Sequence, residues 1–99
     1  MVDQKTAFVT AFIFDTTPAE FANVSREAKL FTEGKARAIP GLIDTALLGN
    51  EERTRLLVFS KWESKDAWAR SRWDDALGVI LVDLVEGSNA FVVETFVPV

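Results

Sequence analysis

The side chains able to do chemistry in this chain of 99 residues are few, and their types narrow the choice. There is no His, no Tyr and no Cys. The usual general base near neutral pH is therefore missing, as is the commonest metal ligand. No phenol can shuttle a proton, and no thiolate can attack or bind a metal. A Ser-His-Asp triad and haem ligation by His or Cys are excluded by inventory. Carboxylates, Lys, Arg, hydroxyls, amides and three indoles remain.

Among the carboxylates, Glu94 sits in an apolar run with Phe91, Val92, Val93 and Phe96. Partly desolvated there, it would have a raised pKa and serve as a base. Exposed or ion-paired, it would be an ordinary surface residue. Asp74 and Asp75 form an acidic pair that suits a helix start better than a metal site, since no spaced third carboxylate accompanies them. Thr10 and Ser60 are hydroxyls inside apolar runs. Each either orients a ligand from a cavity wall or bonds a neighbouring backbone group. Phe12, on the Thr10 face of its run, is a further candidate for contact with a ligand. Trp62 reads as an anchor between strand and helix. Trp68 and Trp73 are spaced so that they do not stack on one helical face, which lets one pack while the other lines a cavity.

These residues need elements to hold them. From Thr6 to Phe14 the chain is apolar on both alternating faces, the mark of a strand covered on both sides. Thr17, Pro18 and Glu20 then form a capping box, and Phe21, Val24, Ala28 and Phe31 follow at helical spacing. A helix is expected over 18–37, ended by Pro40-Gly41. Strands are expected over 42–48 and 54–62, joined as a hairpin by the polar turn at Gly49 to Glu52. Ser64 caps a short helix from about Lys65 that carries Trp68. The stretch 74–86 reads as helix ending at Gly87, although its valines and Gly78 also permit a strand. Ala90 to Val97 is the last strand. The order β-α-β-β-α-β is the ferredoxin-like split unit, a four-stranded antiparallel sheet with helices on one face, in an α+β domain spanning 1–99.

Helices on one face leave the other bare, yet strands one, three and four are apolar on both. Eight Phe and three Trp are also a large apolar load for one small core. A homodimer through the bare sheet face and the last strand, with Val93 and Phe96 in the interface, is the expected solution. The net charge is −4 and no basic stripe gathers, so nucleic-acid binding is not expected. No apolar run has membrane-spanning length, and the polar N-terminus points to a cytoplasmic location.

Pro40-Gly41-Leu42 together with Lys61-Trp62-Glu63-Ser64-Lys65-Asp66-Ala67-Trp68 resembles the antibiotic biosynthesis monooxygenase family of dimeric α+β barrels. The resemblance implies a dimer of ferredoxin-like units with a pocket between sheet and helices in each subunit. Some members of that family oxidise polycyclic aromatics with molecular oxygen and without metal or flavin, and others degrade haem. The haem-degrading pattern is absent: strand one has no Asn, Ser71 stands where the helical Trp would be, and Leu81 lies near the place of the His. The cofactor-free oxygenases carry Asn, Trp, Tyr and Arg in the pocket; this chain lacks the Tyr, and by side-chain type the resemblance implies Trp68, Trp73, Arg70 and Arg72 as candidates.

The sequence therefore leads to a cofactor-independent, metal-free monooxygenase-like protein for a small, flat, apolar or aromatic molecule. Trp68, Trp73, Arg72 and Glu94 are its catalytic candidates, with Thr10, Phe12, Ser60 and Trp62 around the substrate. Two other readings stay open. One is a non-enzymatic dimeric barrel that binds a small apolar ligand or assists a neighbouring enzyme. The other is an isomerase or cyclase using Glu94 with a Lys or Arg.

Overall fold

The computed structural model describes residues 8–35, 38–84 and 91–99. Seven elements follow one another: β1 (Phe8–Asp15), α1 (Pro18–Lys35), β2 (Leu42–Gly49), β3 (Arg55–Trp62), α2 (Lys65–Ser71), α3 (Trp73–Val82) and β4 (Phe91–Phe96). The four strands form one antiparallel sheet in the order β2-β3-β1-β4, which is the ferredoxin-like arrangement. The expected outer limits at Thr6, Arg37, Gly87 and Ala90 lie outside the described residues.

Local chemistry accounts for the boundaries. The Glu20 amide donates to Thr17 Oγ1 at 3.3 Å, so the first turn of α1 is capped as its sequence requires. The β2–β3 hairpin closes on Asn50, whose Oδ1 accepts from the Thr54 and Arg55 amides at 2.9 and 3.1 Å. Gly41 turns at φ 87°, a region that favours glycine, and a side chain there would strike Ala67. Its carbonyl accepts from the Glu63 amide at 2.8 Å. The Pro-Gly turn and the Trp-Glu-Ser run, far apart in sequence, are thus one structural joint.

The second helical stretch is two helices, as expected from the Ser64-capped helix and the separate stretch at 74–86, and they meet at Arg72, which holds a left-handed conformation at φ 57°. Ser64 caps the first, accepting from the Ala67 amide at 3.1 Å. Ser71 accepts from the Trp73 amide at 3.1 Å and so covers one free amide at the start of the second.

The inner face of β1 carries Phe8, Thr10, Phe12 and Phe14, all buried. They meet Val24, Ala28 and Phe31 of α1 and Leu77 and Leu81 of α3 in one core with Leu56, Val58 and Trp62 of β3. The outer face runs in cross-strand rows: Leu48, Leu57, Ile13, Val92, and beside them Ala46, Phe59, Ala11, Glu94. Val92 is 54% exposed and Phe96 45%. Val93, expected at an interface, instead faces the helices opposite Phe12, because strand alternation puts Val92 and Phe96 outside.

Gly78 lies where α3 presses on β4, and an added Cβ would strike the Phe91 ring. Gly34 near the end of α1 has open space around it. Gly78→Val is expected to lower unfolding stability by about 1–3 kcal/mol through overpacking. Gly34→Ala is expected to raise it by about 0.5–1 kcal/mol. Urea denaturation of both variants checks the pair; equal effects would contradict this packing of α3.

Candidate functional site

The break at Arg72 decides what the two helices present. Because the chain reverses its turn there, Trp68 near the end of α2 and Trp73–Asp74 at the start of α3 converge on one cleft. It measures about 390 Å³ and is lined by Trp68, Ala69, Arg72, Trp73, Asp74, Asp75 and Val93. Trp73 is buried, with its ring edge-on to Trp62 at 6.2 Å and tilted against Phe31 at 4.9 Å. Trp68 is half-buried and leans on Phe8 at 5.5 Å. One indole packs and both line the cleft.

Asp74 is the chemical centre of this arrangement. It is 6% exposed, and its Oδ2 accepts from Trp68 Nε1 at 2.6 Å. Its Oδ1 is sealed and has no hydrogen-bond partner, and the same holds for Trp73 Nε1. Burial pushes the Asp74 carboxyl above its ordinary value of 3.8. The Trp68 N–H works against that rise by stabilising the anion, while the charge of neighbouring Asp75 adds to it. Asp75 itself is exposed and pairs with Arg72 at 3.6 Å, both side chains lying in solvent.

Asp74 and Asp75, expected at a helix start, both stand in the first turn of α3, but Asp74 is not among the site residues expected from the sequence. A signal was available: Asp74, Leu77, Gly78 and Leu81 share one helical stripe, and a carboxylate on the core-facing stripe must be buried.

The expected candidates divide by place. Trp68, Trp73 and Arg72 come together in the cleft. Trp62 is fully buried, and its Nε1 donates to Thr10 Oγ1 at 3.1 Å, so each satisfies the other. Phe12 stacks on Phe91 at 4.9 Å within the core. Ser60 pairs with Thr10 across β1 and β3, buried and with its hydroxyl unpartnered. None of these four lines the cleft. Glu94 is exposed on the outer sheet face opposite Ala11, away from the helices and from the other candidates. Among the described residues, no three His, Cys, Asp or Glu side chains gather to hold a metal. No described helix is long and apolar enough to cross a membrane.

Comparison with known proteins agrees in architecture. No family model matches the sequence, and no curated protein does. The fold is similar to a monooxygenase from the gene ActVA-Orf6 of Streptomyces coelicolor, solved with the ligand nanaomycin D. The TM-score is 0.81 at 19% identity, over 99% of this chain and 92% of that one. A candidate antibiotic biosynthesis monooxygenase from Nitrosomonas europaea gives 0.75 at 12% identity, over 97% and 93% of the two chains. A dimeric ferredoxin-like protein of unknown function from Jannaschia gives 0.69 at 17%, over 91% and 97%. At these identities the shared property is the fold, and this chain has the ferredoxin-like fold found in those monooxygenases.

Proposed function

We propose that the chain is a cofactor-independent monooxygenase for a small, flat, electron-rich aromatic such as a phenol with a free para position. The observation that carries this reading is the buried Asp74 carboxylate, held on one oxygen by Trp68 and free on the other, in an aromatic-walled cleft. Such a group accepts a proton without first being stripped of water. Its raised pKa brings it nearer to the phenol whose proton it must take. The likeness in fold to a ligand-bound monooxygenase supports the same choice.

The reaction then needs three proton transfers and oxygen. The Asp74 carboxylate takes the phenol proton, leaving a phenolate rich in electrons at its para carbon. That carbon forms a bond to molecular oxygen, and the distal oxygen takes the proton back to give a hydroperoxide. Loss of the para hydrogen as a proton, with O–O cleavage, releases water and leaves the quinone. Phenol and oxygen thus become quinone and water, with the four electrons coming from the substrate. The indoles of Trp68 and Trp73 supply flat apolar walls for the ring. Arg72 at the rim offers a cation to the phenolate and peroxide oxygens. Thr10 and Trp62 act from beneath by fixing Trp73.

The outer sheet face belongs to the same proposal. A row of apolar side chains across four strands is covered by a second copy packing sheet to sheet, which makes the working unit a homodimer. Phe96→Asp places a charge in that contact and is expected to give a folded monomer or a far weaker dimer by analytical ultracentrifugation. An unchanged dimer would exclude this face.

Oxygen uptake with a para-unsubstituted naphthol tests the chemistry. Asp74→Asn is expected to lower kcat about a hundredfold to ten-thousandfold, the usual range for loss of a general base. Full activity in that variant would refute the assignment. Trp68→Phe removes the donor that favours the Asp74 anion. The acidic limb of the pH–rate profile should then move to higher pH, a shift that loss of packing alone would not cause.

Stability gives an independent reading of the same carboxyl. The unfolded chain loses the Asp74 proton near 3.8, and the folded chain keeps it to a higher pH. Between those two values the native state binds more protons, so this group's contribution is full below 3.8 and falls as pH rises through the folded value. The difference between wild type and Asp74→Asn, followed by chemical denaturation, should therefore shrink or reverse across that window. A difference that does not change with pH would contradict it.

A further inference from the structure

A larger cleft lies on the other side of the helix layer, between α1 and the edge strand β2. Its volume is about 510 Å³. Phe21, Ser25, Lys29 and Glu33 line it from α1, spaced as one helical stripe, and Thr45, Leu47 and Gly49 line it from the inner face of β2. None of its lining residues belongs to the Asp74 cleft. It exists because small residues meet there: Ser25 on the helix stands over a strand whose inward positions include Thr45 and Gly49. Gly49 has no side chain because Phe21 occupies that place.

Two features of the cleft ask for a ligand. Ser25 Oγ is sealed from solvent and has no hydrogen-bond partner, although a helical serine can usually bond back to a carbonyl of the preceding turn. One turn further, about 6 Å along the axis, Lys29 makes no ion pair among the described residues. Between and below them the floor is apolar, made by Phe21, Leu47 and Leu56. Glu33 stands one turn beyond Lys29 and would repel a second negative group.

We propose that the cleft between α1 and β2 is a second binding site, and that it takes a flat, apolar monocarboxylate. The carboxylate is held by the Lys29 ammonium and by the Ser25 hydroxyl, which turns about χ1 to reach it, and the ring lies on Phe21, Leu47 and Leu56. Glu33 selects against dicarboxylates. This site does not depend on the oxygenase reading of the Asp74 cleft.

The test uses the full chain labelled with nitrogen-15 and titrated with 2-naphthoate, followed by amide chemical shifts. The expected result is saturable shifts along 21–33 and 45–56, with a midpoint below about 5 mM. Ser25→Val and Lys29→Gln should each weaken binding by about twofold to tenfold. The neutral 2-naphthamide should bind more weakly than the acid. The proposal is overturned by shifts confined to 68–75 and Val93, by no saturable shift, or by equal binding of acid and amide. If Ser25→Val does not fold, the exposed Lys29→Gln substitution decides alone, and unchanged affinity in it overturns the site.

Discussion

Much of this structure depends on where Trp62 is held. Its indole ends β3, is fully buried, and finds its one polar partner in Thr10 of the neighbouring strand. A buried indole N–H without a partner would cost about 1–3 kcal/mol, a cost that Thr10 removes for Trp62. The ring then meets Trp73 edge-on, which sets where α3 begins. The next residues in the chain, Glu63 and Ser64, bond to the Gly41 carbonyl and cap α2. One side chain therefore fixes the sheet corner, the Pro-Gly turn and the starting points of both short helices.

From that joint the chemistry follows. Seven residues of α2 reach from the capped corner to Arg72, where the chain turns through a left-handed conformation that costs a non-glycine residue energy. The reversal points Trp68 and the first turn of α3 at each other. Asp74 is thereby drawn under the Trp68 indole and out of water, at the price of a carboxylate with only one oxygen satisfied. A carboxyl with a raised pKa in a cleft is a candidate for proton transfer. The remaining exposed charges, Glu94 among them, are solvated and lack this environment.

Sequence patterns disclosed the architecture well because its signals are local and repetitive. Alternation in 6–14 and 54–62, the Thr17-Pro18 cap and the Asn50 turn each specify an element without reference to the rest of the chain. The bare sheet face was also legible, since β1 and β3 are apolar on both sides. The face assignment of β4 was less so: with Phe91, Val92, Val93 and Phe96 all apolar, only pairing with β1 shows that Val93 points inward. The cleft was legible in its aromatic residues and not in its buried carboxyl. Trp68, Trp73 and Arg72 were identified by type, whereas Asp74 looked like an ordinary first-turn acid. What distinguishes it is burial, which its place on the core-facing stripe with Leu77, Gly78 and Leu81 signals. Thr10 and Trp62 were both singled out, but that they satisfy each other is a long-range fact of strand register.

The account rests on Asp74 being a buried carboxyl that releases its proton late. The most direct measurement is a titration of the Asp74 side-chain carbon by carbon-13 NMR in the intact chain. The structure predicts a midpoint clearly above 3.8, rising further in Trp68→Phe. A midpoint at or below 3.8, or one indifferent to Trp68, would show that Asp74 is solvated and would remove the base from the proposed reaction.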